Sequence, residues 1–222
     1  SLLPNVEKLK VLSIAGFFHV GPEDVSCSAD EGIDFPFCAY QRAMTSMAAL
    51  HMAAVDNECA ASKPESQRWR CIFAPEAARF VHAPSFILQS VFDSWQLQHA
   101  FGFDTKTTLL VRRGRCVDGT HTCLAQAKCV ESIVATCSSE ACTAPHSCAA
   151  EEHQLSHAAQ LLTNIVANGA NRPGDGAFFT TCVEHTFTRE SMSAIAVNNV
   201  TIMQAIANWW LALPDAPREQ HT

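Results

Sequence analysis

The stretch Pro84-Ser-Phe-Ile-Leu-Gln-Ser-Val-Phe-Asp-Ser-Trp-Gln96 does most to constrain how this chain folds. It enters on a proline, is apolar from Phe86 to Leu88 and again at Val91 and Phe92, and breaks at Asp93. An apolar run this short, closed by a charge, predicts a strand buried in a parallel sheet. Open α/β sheets hold their ligands just beyond the carboxyl ends of such strands, so Asp93 stands where chemistry is expected. A structural role competes: Asp93 precedes Ser-Trp-Gln-Leu-Gln and would equally cap a helix starting near Ser94. A second stretch, Ala177-Phe-Phe-Thr-Thr-Cys-Val-Glu-His185, also ends an apolar run in a titratable side chain and favours a site.

Composition removes several classes. Of 222 residues, 48% are apolar and 17% charged, which fits a globular chain of one ordinary domain or two small ones. A net charge of −7 leaves no basic stripe for nucleic acid. The densest basic group, Arg112-Arg113-Gly-Arg115, reads as a solvated turn. No apolar run approaches the roughly 18 residues of a transmembrane helix. Ser1-Leu-Leu-Pro-Asn has no signal-peptide core and no initiator methionine, so the chain is expected to be processed, trimmed or incomplete.

Eleven cysteines are far above cytosolic usage, and six of them (Cys116, Cys123, Cys129, Cys137, Cys142, Cys148) cluster together. Their gaps contain no Cys-x-x-Cys, which disfavours zinc although His121 and His146 lie among them. Disulfides are expected, and with them a secreted, cell-surface or endomembrane-lumen address. Asn199-Val-Thr201 is a glycosylation sequon that agrees. The odd total leaves at least one cysteine free or bonded to another chain.

In chain order, residues 2–10 read as a helix tail with a turn at Pro4-Asn5, and Val11 to Gly16 as a short buried strand. Phe17, Phe18 and His19 follow its carboxyl end, ahead of a loop at Gly21-Pro22. Phe35 to Ala54 is helical, with a Met44, Met47, Leu50 to Met52 stripe meant for core or interface. Cys59 and Cys71 bracket a polar loop and suggest a local disulfide. A short helix is expected over Pro75 to Val81 and another from Ser94. Thr107 to Val111 is β-prone, and a stapled helix is expected over Leu124 to Thr136. Glu151 to Asn168 is amphipathic, with Leu155, Ala158, Ala159, Leu162, Ile165 and Val166 on one face. Gly169 ends it, and Pro173-Gly-Asp-Gly176 makes a turn. The last helix, Thr201 to Leu213, carries Trp209 and Trp210 and stops at Pro214.

A strand-end Asp93 followed by a strand-end His185 matches the tail of the Ser, Asp, His chain order of α/β-hydrolases. The imidazole takes the serine proton and returns it to the leaving group, and the carboxylate fixes its tautomer. Phe86-Ile-Leu-Gln-Ser-Val-Phe-Asp-Ser-Trp-Gln-Leu resembles the acid-bearing segment of the pectin acetylesterase and Notum family. Leu9-Lys-Val-Leu-Ser-Ile-Ala-Gly-Phe-Phe with Asp24-Val-Ser26, Cys59 to Phe73, Phe178 to His185, Asn198-Asn-Val-Thr-Ile and Ala205 to Trp209 resemble further segments of it, in order.

The resemblance implies the carboxyl-terminal part of an α/β-hydrolase: residues 1–222 as part of one domain with a mostly parallel sheet flanked by helices. Residues 115–149 would be a disulfide-rich insertion within it. It also implies Asp93 as triad acid, His185 as triad base, and hydrolysis of an acetyl ester on cell-wall polysaccharide or an acyl group on a protein. No metal or organic cofactor is implied, and Trp95 and Gln96 match the motif without an assigned role.

The departures define what is missing. There is no Gly-x-Ser-x-Gly in the chain, Ser13 lacks the flanking glycine, and the Gly-rich oxyanion segment is absent. Ile14 stands where the family has an acidic residue, Thr186 where it has a cysteine, and the cysteine-rich insertion has no match. A three-strand remnant lacks neighbours on both edges, so the expected partner is the amino-terminal half, as a second chain or a missing segment. With the insertion pairing internally and Cys59 with Cys71, one of Cys27, Cys38 and Cys182 is the expected cross-link. Against the esterase stands a non-catalytic relative serving an extracellular or cell-surface assembly, and more distantly a disulfide-rich binding module unrelated to hydrolases.

Overall fold

Strand β2 (Ser85–Ser90) is buried along its whole length because it has a neighbour on each side. It pairs in parallel with β1 (Val11–Ile14), Leu12 opposite Phe86, and with β5 (Gly176–Thr180), Leu88 opposite Phe178. The computed structural model describes residues 9–18, 36–50, 55–100, 121–122, 128–129, 161, 163–165, 167–180, 182–212 and 219–221. His19, residues 2–8, Thr107 to Val111 and nearly all of 115–149 lie outside them. A fourth parallel strand, β9 (Glu219–His221), pairs with β5, giving the order β1-β2-β5-β9. Among the described residues the sheet therefore has four strands, not the three expected. Glu-Gln-His carries no strand pattern, and only pairing to β5 makes it one.

Alternation along β2 and β5 builds two cores, as a sheet covered on both faces requires. Ile87, Ala177 and Phe179 pack with Phe17, Leu97, Leu161 and Ile165. Phe86, Leu88 and Phe178 pack with Ile195, Ile202, Ala205 and Trp209. The first face is covered by a helix whose described positions fall in 161–168, called α4 after α1 (Pro36–Leu50), α2 (Asn57–Ala61) and α3 (Ala74–Ala77). Among its described residues the buried ones are Ile165, of the expected stripe, and Leu161, beside it. Gly169 follows because a Cβ there would lie 2.4 Å from Ile87 Cδ1 and 2.9 Å from Phe17 Cε2. Close approach of helix to sheet thus selects this glycine.

The second face is covered by α6 (Ile202–Leu211), preceded by α5 (Arg189–Ala194) and the hairpin β7 (Ala196–Val197) to β8 (Val200–Thr201). Asn198 and Asn199 both take positive φ, 50° and 64°, the two-residue turn that matches the strand twist and that asparagine tolerates. Thr201 then opens α6 with a capping box closed by Gln204. At the far end Lys10 Nζ donates to the carbonyls of Trp209 and Ala212 and lies 4.8 Å from the Trp209 ring, capping α6.

Three expectations need correction. The strand at Val11 is not buried: among the described residues it is the sheet edge, and Leu9, Val11, Leu12 and Ile14 are exposed, Leu9 by 57% and Leu12 by 40%. Of the α1 stripe, expected in core or interface, Met47 and Leu50 are exposed and so not core, while Met44 packs near Tyr40, Phe73 and Ala100. Within the segment expected to be helical, Lys128–Cys129 is a strand, β4, antiparallel to β6 (Cys182–Val183). Pairing to an available strand edge overrides local helix propensity there. A second short strand of the insertion, β3 (His121–Thr122), pairs with β7.

The Cys59–Cys71 disulfide is present, Cα to Cα 5.9 Å, and bridges α2 to a 3-10 segment, Glu65–Ile72. Cys38 and Cys182 are also disulfide-bonded, which withdraws two of the three cysteines expected to serve as a cross-link. Among the described residues no helix is long and apolar enough to cross a membrane.

Candidate functional site

The strand ends that carry Asp93 and His185 are laced together before either side chain is reached. Ser90 donates its hydroxyl to the Cys182 carbonyl and accepts from the Phe92 N–H. Val91 N–H donates to the Thr180 carbonyl. The chain then turns at Val91 and Phe92, and the strand stops at Ser90, three residues short of the aspartate.

Asp93 is fully buried, and its carboxylate accepts three hydrogen bonds. Oδ1 takes the Gln96 N–H at 2.9 Å, which caps the turn of helix before the π-helical Gln96–Ala100. Oδ2 takes the Gln89 amide at 2.8 Å and His185 Nδ1 at 2.9 Å. The cap and the histidine partner, posed as alternatives by the sequence, are both real and use different oxygens. A buried carboxylate is tolerable only when so satisfied.

Gln89 was missed by the sequence reading. Its Oε1 accepts from the Phe17 N–H at 3.1 Å, and Gln96 Nε2 donates to the Phe17 carbonyl at 3.2 Å. The two glutamines clasp the backbone N–H and carbonyl of one residue, Phe17, just beyond β1 and fasten it to Asp93. That gives Gln96 the role its motif position lacked. The signal was available: a glutamine inside an apolar strand, four residues before the aspartate. Ala15, at the same strand end, adopts φ 51° and swings the chain toward this clasp.

His185 keeps 26% of its side chain exposed. With Nδ1–H donated to Asp93, the neutral ring carries its lone pair on Nε2. The Trp95 ring lies 6.0 Å away at 31° and the Phe18 ring 5.9 Å away at 50°, so the imidazole is flanked by two aromatic planes. Trp95 in turn contacts Phe18, Tyr40 and His99. Burial, and then the charge of Asp93, push the Tyr40 phenol up to about 12, so it stays neutral.

Next to the histidine, Glu184 is a second carboxyl. Its Oε2 is buried without a hydrogen bond. Burial raises its pKa above the ordinary 4.5, opposed by a hydrogen bond with Ser191. Ser13, the weak nucleophile candidate, lies in β1 opposite Ile87, with its hydroxyl beside Gly16. Among the described residues no serine hydroxyl is bonded to His185. Asn199 stands exposed at the hairpin tip.

A parallel sheet that sets a buried carboxylate against an imidazole at the ends of adjacent strands defines a hydrolase-like α/β protein. Within that class, the pectinacetylesterase family model matches residues 1–219, and the chain belongs to that family. Family membership points to carboxylic ester hydrolysis. Comparison with curated proteins found no match.

Proposed function

We propose that this chain is the carboxyl-terminal part of a secreted serine carboxylic ester hydrolase, with Asp93 as triad acid and His185 as base. The observation that carries the reading is the 2.9 Å contact between His185 Nδ1 and a fully buried Asp93 oxygen. In this scheme a serine hydroxyl attacks the ester carbonyl while His185 Nε2 takes its proton. The imidazolium, held by Asp93, returns that proton to the departing alkoxide, leaving an acyl-enzyme. Water then repeats the cycle and releases the acid.

The serine belongs to a segment seated beside β1. The apolar side chains of Leu9, Val11, Leu12 and Ile14 lie along an edge strand with no neighbour on its outer side among the described residues. An edge of that kind is built for another strand. The substrate is an acetyl ester on polysaccharide or an acylated protein. Residues 115–149 form an insertion in the same domain, Asn199 carries glycan, and the compartment is extracellular or endomembrane lumen.

A second reading, a non-catalytic relative in an extracellular or cell-surface assembly, is favoured by one observation. By the resemblance, Ile14 stands where the family has an acidic residue, and an isoleucine brings no charge there. Labelling the natural protein with a fluorophosphonate separates the two. Covalent labelling that disappears in His185→Ala supports the esterase, and no labelling of a folded, complete protein supports the second reading.

A further inference from the structure

We infer that Cys182 is disulfide-bonded to Cys129, which fastens the cysteine-rich insertion to the strand that delivers His185. Cys182 is disulfide-bonded and fully buried. Cys59 and Cys71 are bonded to each other, so the partner comes from Cys27, Cys38 or the insertion. Strand register puts Cys129 of β4 directly opposite Cys182 of β6.

The backbone hydrogen bonds define the kind of pair. Antiparallel partners alternate between pairs that exchange both backbone bonds and pairs that exchange none. Cys182 has its N–H on Thr180 Oγ1 at 3.2 Å and its carbonyl on the Ser90 hydroxyl. Both groups are spent on its own side of the structure, so Cys129 and Cys182 form the non-hydrogen-bonded kind. Such pairs bring Cα atoms to about 4.5 Å, inside the roughly 4.4–6.8 Å span of a disulfide. Forming the bond takes one proton and one electron from each thiol. The two electrons go to a disulfide-bearing oxidant of the secretory compartment, which leaves as the dithiol.

The consequence lies three residues downstream, at His185. The carbonyl of Cys182 is the acceptor that latches β6 to Ser90, on the path to Asp93. A covalent tie at Cys182, with β3 paired to β7 as a second attachment, makes the insertion part of the frame of the site. It also revises the insertion's own pairing, since five of its six cysteines then remain.

Non-reducing peptide mapping decides the matter. Trypsin with a glutamate-specific protease cuts after Lys128, Glu131, Glu152 and Glu184, placing Cys129 alone in 129–131 and Cys182 alone in 153–184. The expected result is these two peptides joined, at their summed mass less two hydrogens. Peptide 153–184 joined to any other cysteine peptide overturns the inference. In Cys129→Ser, Cys182 should become alkylatable after unfolding without reductant, and a Cys182 still blocked overturns it equally. Neither readout depends on esterase activity, so the proposed function stands or falls separately.

Discussion

Gln89 lies 2.8 Å from the same Asp93 oxygen that holds His185, and it takes the Phe17 N–H on its other amide atom. One fully buried amide thus ties the carboxylate to Phe17, just beyond β1 and 72 residues before Gln89 in sequence. Gln89→Met keeps the volume but strands a buried N–H and removes a donor from a buried carboxylate. The expected loss is about 2–4 kcal/mol, read as a lower urea midpoint, and under the proposed function esterase activity falls alongside.

Asp93→Asn separates the two duties of that side chain. Its Oδ1 still accepts from the Gln96 N–H, so the cap survives and the variant should fold. The amide no longer holds His185 in the productive tautomer, and kcat should drop by roughly 10⁴-fold, as for triads generally. A small drop with intact fold removes Asp93 from the mechanism. Asp93→Ala loses the cap as well, costing about 1 kcal/mol more.

Glu184 sets a dependence at the alkaline side of the carboxylate range. Burial raises its folded pKa above 4.5, against the hydrogen bond with Ser191. A raised folded pKa means the stabilisation is complete below the unfolded value and is lost as pH rises through the folded one. Glu184→Gln should therefore match the parent near pH 4 and exceed it in thermal midpoint at pH 7 and above. Identical midpoints at both would show that the carboxyl is not held neutral.

Glu76 acts in the opposite direction. Burial pushes its carboxyl up, but hydrogen bonds from Lys63 and Arg70 and their charges outweigh that and lower it. The partners stand at 2.5 Å and 2.9 Å, with Arg79 at 3.8 Å. Stability from this cluster is present above 4.5 and is lost as pH falls through the depressed folded value. Glu76→Gln should cost about 3 kcal/mol at pH 7, because the buried Arg70 loses its counter-charge, and should flatten the acid limb of an unfolding curve against pH.

Short-range chemistry carried much of this protein into its sequence. The apolar run at Phe86 made β2, Asn198-Asn199 made the hairpin, Thr201 with Gln204 made the start of α6, and Cys59 closed a loop with Cys71, 12 positions further on. Each works over a few positions, where dihedral preference or spacing is enough. Asp93 and His185 were legible for the same reason, since each marks the end of an apolar run. Their hydrogen bond was not, because it joins groups 92 residues apart through strand register. Only the tertiary structure decided that β1 would be an exposed edge and that the polar Glu219–His221 would be a strand. It also decided that β4 would replace a helix and that two glutamines would clasp the Phe17 backbone. In each case the deciding interaction was a backbone or amide group finding its partner across the sheet, and no local pattern of side chains encodes which partner that is.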